Sequence, residues 1–138
     1  MTTSSAKIEA AYVLDTVALI RHLTEHRKLG RQAKAIFSAA EHGDTQLIVS
    51  AVVIAELYSI HRKHNLFDDF REAYVEIRSR PQFQFVILSS DDVLDYMKND
   101  FMVDIFDNII ASLARKLDLT LITSDQKIID AGIARTIW

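Results

Sequence analysis

The chain has no cysteine, and only three glycines and one proline in 138 residues. Without thiols, a disulfide framework, a cysteine nucleophile and every thiolate zinc or iron–sulfur site are excluded, so any bound metal must rest on carboxylate or imidazole groups. Scarce glycine and proline leave little punctuation for long loops, and no internal repeat, low-complexity tract or linker is present. No apolar run approaches the roughly 20 residues that span a bilayer. The opening MTTSSAKIEA lacks a basic start followed by an apolar stretch, and it lacks a small-residue cleavage site; membrane insertion and secretion are not expected, and a cytoplasmic setting is. Positive charge is not in surplus either. A net charge of -3 argues against sequence-independent coating of nucleic acid, which relies on many Lys and Arg contacts to phosphate, but leaves room for a local site.

What is present is an ordinary globular composition, 49% hydrophobic and 25% charged, of a length that fits one domain over residues 1–138. Residues 1–10 read as a loose lead-in. Short apolar runs at Ala11–Leu14, Leu47–Val49, Phe83–Leu88 and Leu119–Thr123, with a final run at Ile133–Trp138, read as about five buried strands. Between them apolar residues recur at helical spacing: Val17, Ile20 and Leu23; Leu29, Ala33, Ile36, Phe37 and Ala40; Val52, Val53, Leu57 and Ile60; Phe67–Ile77 up to Pro81; Ser89–Lys98; Ile109, Ile110, Leu113 and Leu117; and Gln126–Ala131 before Gly132. Strands alternating with amphipathic helices predict an α/β fold with a parallel central sheet flanked by helices, a three-layer sandwich, because each parallel pairing needs a crossover. In such sheets the ligand site lies beyond the carboxyl ends of the strands.

That edge is where acids fall. Asp15 directly follows the first strand, and Asp125 follows the fourth after only Ser124. Each is also a good helix N-cap, a role that needs no ligand. Glu56 stands with Val53, Leu57 and Ile60 at helical spacing, so it lies within or at the edge of an apolar stripe and needs a cation, a partner or access to water. Asp107 shares a helix face with Ile110, Ala111 and Ala114, with Asp104 in the turn before it and Asp100 earlier still. Asp107 is preferred as a site residue and Asp104 is its substitute, though any of the three acids would serve as a cap. If Asp15, Glu56, Asp107 and Asp125 converge, their repulsion raises their proton affinity unless a hard cation such as Mg2+ or Mn2+ sits among them.

Other patterns are weaker or missing. Arg21, Arg27, Lys28, Arg31 and Lys34, with His22 and His26, place positive charge after the first acid, as a phosphate contact or as a solvated helix face. His61 and His64 lack the His-Glu-x-x-His pattern of a zinc site and read as surface residues. Tyr12, Tyr58, Tyr74 and Tyr96 fall in separate elements and read as packing rather than as a base-stacking platform. An Asp-x-Asp phosphatase would need an acid at Val17, and a receiver domain would need an acidic pair where Leu14 precedes Asp15. Neither the phosphate-loop nor the dinucleotide-binding glycine pattern occurs.

In order and spacing, YVLDTVALI (12–20), VSAVVIAELYSI (49–60), FDNIIASLARKL (106–117) and LTLITSDQKI (119–128) resemble the four acidic motifs of PIN-domain nucleases, in particular the compact toxins of VapBC-type toxin–antitoxin pairs. The resemblance implies that Asp15, Glu56, Asp107 and Asp125 bind metal, with Thr123 as the hydroxyl that accompanies the last acid. It further implies Mg2+- or Mn2+-dependent endonucleolytic cleavage of RNA to a 5′-phosphate and a 3′-hydroxyl, a small cognate antitoxin that blocks the cleft, and a homodimer. Two positions depart from the pattern: Val17 stands where the family often has Ser or Asn, and Ser112 where it often has Thr. The alternative reading is a PIN-like module that has lost catalysis and only binds RNA or a protein.

Overall fold

The computed structural model describes residues 7–99 and 104–138. Residues 1–6 of the expected lead-in, and Asp100 among the acids weighed as caps, lie outside the described residues. Five strands form one sheet: β1 Ala11–Leu14, β2 Gln46–Ser50, β3 Phe83–Val86, β4 Thr120–Ile122 and β5 Thr136–Ile137, in the order β3-β2-β1-β4-β5. Every neighbouring pair is parallel. The helices are α1 Thr16–Leu23 and α2 Arg31–Glu41 after β1, α3 Ala51–His64 and α4 Phe70–Ser79 after β2, α5 Ser90–Tyr96 and α6 Ile105–Leu117 after β3, and α7 Gln126–Ala131 after β4. The path steps one way from β1 to β3, then returns and steps the other way from β4 to β5. Because parallel crossovers share one hand, the two sets of helices cover opposite faces and produce the three-layer sandwich.

Parallel strands covered on both faces should be apolar throughout rather than alternating. Tyr12, Val13 and Leu14 of β1, Leu47 of β2, and Leu121 and Ile122 of β4 are all buried. Leu19 of α1, Ile36 of α2, Leu57 of α3, Ile110 of α6 and Ile128 of α7 close over them; each such side chain stabilises the fold by about 1.5–3 kcal/mol on burial. No helix among the described residues is long and apolar enough to cross a membrane. The segment just before β1 is tied down at its end: the Glu9 N–H donates to the Tyr12 hydroxyl at 3.0 Å, and the Thr45 hydroxyl donates to the Glu9 carbonyl at 2.6 Å.

Several boundaries differ from the sequence expectation, each for a local reason. β3 ends at Val86 rather than Leu88, because it is an edge strand with no partner beyond it and Ile87 is 89% exposed. α4 begins at Phe70 rather than Phe67, because the Asp69 carboxylate caps it by accepting the Glu72 N–H at 3.0 Å. The last run contributes only Thr136–Ile137, paired with Leu121 and Ile122. Val17 is 41% exposed, so the buried stripe of α1 runs through Ala18 and Leu19 instead.

Candidate functional site

The reversal of strand order leaves a crevice between the carboxyl ends of β1 and β4, the point at which doubly wound sheets bind ligands. The register sets what lines it. Leu14 of β1 is opposite Ile122 of β4, and the Asp15 N–H continues the ladder to the Ile122 carbonyl at 3.3 Å, so Asp15 and Thr123 emerge side by side. Asp125 follows two residues later. Asp15 is the N-cap of α1, its Oδ1 accepting the Ala18 N–H at 2.7 Å, and Asp125 is the N-cap of α7, its Oδ1 accepting the Lys127 N–H at 2.9 Å. Both capping readings of the sequence therefore hold, and neither removes the carboxylates from the crevice. Thr123 is fully buried; its hydroxyl accepts the Asp125 N–H at 3.1 Å and is hydrogen-bonded to the Asp15 carboxyl.

The two remaining acids arrive on helices. Glu56 is half-buried on α3, and its Oε1 accepts the Thr16 hydroxyl at 2.8 Å. Thr16 is 5% exposed at the first turn of α1; sequence reasoning passed over it. Asp104 is the N-cap of α6, its Oδ1 accepting the N–H groups of Phe106 at 2.8 Å and Asp107 at 3.3 Å. Asp107, half-buried in the first turn of that helix, is thereby freed from capping and lies near enough to Asp15, Glu56 and Asp125 to feel their charge. The positive ends of α1, α6 and α7 all point toward this group, which partly offsets its charge.

Proton affinities report the proximity. Burial pushes the Asp15 carboxyl up to about 6, opposed by the hydrogen bonds from Thr123 and Ala18 and reinforced by Asp125 and Glu56. Burial also raises Glu56, which Thr16 lowers and Asp104 raises again. Asp107 is pushed up to about 7, first by burial and then by repulsion from Asp104, Asp125, Glu56 and Asp15. Desolvation and like charge act in the same direction on one crevice, as expected of carboxylates gathered without a counterion.

Do these residues suit a divalent ion? Among the described residues, no group of three or more His, Cys, Asp or Glu side chains closes into a ready-made cage. The donor set is nonetheless one of hard oxygens, and Mg2+ takes few direct carboxylates while keeping several waters. Protein donors engage Oε1 of Glu56 and Oδ1 of Asp125. The second oxygen of each accepts no hydrogen bond from the described residues, so both remain available to a cation.

The other candidates lie elsewhere. The basic segment trails from α1 toward the opposite edge of the sheet: the His22 ring stacks on Phe37 at 4.0 Å and lies 6.3 Å from Phe83, which opens β3. Arg21 and Lys34 there line a cleft of about 700 Å³ together with Arg80, Glu25, Glu41 and Glu76, a balanced set of charges rather than a phosphate track beside the acids. His61 is not a free surface residue, a correction to the sequence reading: it packs on Phe67 and Phe70 at 5.8 and 5.5 Å and accepts the Phe67 N–H. His64 is exposed, Tyr12 and Tyr96 are core, and Tyr58 stands edge-on to Phe70. Ser112 is buried and accepts a hydrogen bond from Asn99, which ties the turn after α5 to α6 away from the acids.

Known structures share this fold. The VapBC2 complex of Rickettsia felis bound to a promoter DNA fragment superposes with a TM-score of 0.67 at 18% identity, over 92% of this chain and 97% of the matched one. A toxin–antitoxin complex from Klebsiella pneumoniae gives 0.61 at 21% identity over 92% and 96%. A Pyrobaculum aerophilum protein gives 0.59 at 18% identity over 92% and 83%. At these identities the likeness concerns the fold. No curated protein sequence matches the chain significantly. The model of the PIN domain family matches residues 12–134, and the chain belongs to that family, whose members are nucleases.

Proposed function

We propose that this protein is a Mg2+- or Mn2+-dependent endoribonuclease and the toxin half of a toxin–antitoxin pair. The observation that carries the reading is the convergence of Asp15, Glu56, Asp107 and Asp125 from four separate elements, with Asp107 repelled by the other three and Asp15 by Glu56 and Asp125. Gathering four acids in a partly dry crevice destabilises the metal-free fold and is reconciled by a cation. A divalent ion bound there would activate a water toward a phosphodiester and offset charge on the leaving oxygen.

The chain's own groups have distinct parts in this reading. Asp15, held by Ala18 and Thr123, forms the rigid floor of the crevice. Glu56 and Asp125 each present an oxygen not engaged by the protein. Asp107, with a proton affinity near 7, is neutral or charged according to what stands before it at physiological pH. The N-termini of α1, α6 and α7 add backbone N–H groups and a positive field near an anionic phosphate. RNA enters as exposed single strand, where bases and phosphates are accessible without opening a duplex. Two of the structural relatives were solved as toxin–antitoxin assemblies, which supports a small protein partner that covers the crevice; a homodimer fits the same reading.

The test is to incubate the purified, partner-free protein with Mn2+ and a panel of structured RNAs and to map the ends of the products. Cuts leaving 5′-phosphates, weakened on the order of 10²–10³-fold in Asp107→Asn as when one electrostatic element of a site is removed, support the nuclease. Intact Mn2+ binding with no cut in any RNA would instead identify a binding module that lacks catalysis.

A further inference from the structure

We infer that Thr16 is a positioning residue: its buried hydroxyl clips the Glu56 carboxylate into the acidic crevice and presets the crevice geometry before any cation arrives. This rests on the metal-centre reading of the four acids. Asp15 and Thr16 are consecutive but serve different neighbours. The Asp15 carboxylate is fixed within its own helix by the Ala18 N–H at 2.7 Å, whereas the Thr16 hydroxyl reaches across 40 residues of sequence to Glu56 Oε1 at 2.8 Å. One dipeptide at the start of α1 therefore orients two acids on two elements.

The contact is well placed for that work. Thr16 is 5% exposed, so water competes poorly for its hydroxyl, and a β-branched residue in a helix has few χ1 choices. Glu56, by contrast, has a long side chain on a half-buried helix position, and without a donor it would sample several rotamers. A single hydrogen bond to Oε1 fixes the direction of the carboxylate while leaving Oε2 without a hydrogen bond from the described residues. Groups that hold the ligands of a metal in this way typically govern affinity by 10–100-fold without touching the ion.

The experiment is calorimetric titration of the partner-free protein with Mn2+ alone, for the parent, Thr16→Val, Thr16→Ser and the pair Glu56→Ala and Thr16→Val/Glu56→Ala, with a urea unfolding curve for each. Thr16→Val should bind Mn2+ roughly 10–100-fold more weakly, Thr16→Ser should bind like the parent, and Thr16→Val should have no further effect once Glu56 is Ala, which leaves the hydroxyl no carboxylate to hold. A merely structural role would lower the urea midpoint and leave Mn2+ affinity unchanged, and that result would overturn the inference; so would equal loss in the Glu56→Ala background. Should Thr16→Val not fold, Thr16→Ala gives the same reading. A parent that binds no Mn2+ would overturn the metal-centre reading and this inference with it, whereas a binding parent with an indifferent Thr16→Val overturns this inference alone.

Discussion

Removing the cation should make this protein less stable as the pH rises, the reverse of ordinary acid denaturation. Asp15 titrates at about 6 and Asp107 at about 7 in the folded chain, against 3.8 for the free side chain. The folded state therefore keeps these protons to higher pH than the unfolded state does. Stability is fully present below pH 3.8, erodes as the unfolded chain ionises, and is lost once the folded carboxyls ionise near pH 6–7. One pH unit of difference corresponds to about 1.4 kcal/mol. From pH 5 to pH 8 the nearly buried Asp15 then accounts for about 1.4 kcal/mol, and Asp107, discounted for its partial exposure, for a similar amount. With an m-value near 2 kcal/mol/M, the sum of about 3 kcal/mol moves the urea midpoint down by about 1.5 M.

His22 acts oppositely. Desolvation of its half-buried ring, aided by Arg80 and opposed by Glu41 and Glu25, lowers its proton affinity, so it contributes stability that grows as pH rises toward 6.5. The carboxylate effect is best read as the difference between parent and Asp107→Asn in EDTA, where the variant should show a clearly flatter pH slope. Saturating Mn2+ should restore the parent's midpoint at pH 8. A metal-free midpoint that is flat or rising from pH 5 to 8, with the same slope in Asp107→Asn, would refute the crowded-carboxylate picture.

Two further substitutions test the scaffold. Gly30→Ala would drive a Cβ into the backbone carbonyl carbon of Trp138 and place it 2.6 Å from its indole; the forced shift should destabilise by about 1–3 kcal/mol, and a melting temperature within a degree of the parent would contradict the close approach. Ser89→Ala removes the capping box at α5, in which Ser89 and Asp92 exchange two hydrogen bonds of 3.1 Å each; a loss of about 1 kcal/mol in urea unfolding is expected, with Ser89→Asp retaining most of it.

The parts of the site that were legible in the sequence are those fixed by local chain order. Asp15 and Asp125 follow buried strands at once, so a parallel sheet alone places them on one rim, and the pairing of Leu14 with Ile122 does so. Glu56 betrayed itself as a charge among Val53, Leu57 and Ile60. Asp104 and Asp107 were separable because one fits the cap position and the other the apolar face of the helix. Thr16 was not legible, because its meaning lies in a contact 40 residues away. The basic segment also misled: its charges follow Asp15 closely in sequence, but a helix that starts at the carboxyl edge carries them about 10 Å toward the other edge at 1.5 Å per residue. His61 read as surface because its packing on Phe67 and on Phe70, the first residue of α4, is a contact between elements that the periodicity of its own helix does not report. The short reach of β3 and β5 follows from their being edges, a property of strand order that no local pattern reports.

The most direct measurement of the central claim is Mn2+ titration by calorimetry of the partner-free protein beside Asp15→Asn and Asp107→Asn variants confirmed to be folded. Saturable binding by the parent that both variants lose is the expected result, since both carboxylates would serve one centre. Variants that bind like the parent would show that the acids of β1 and α6 do not share a cation, and the metal-dependent nuclease mechanism would fall.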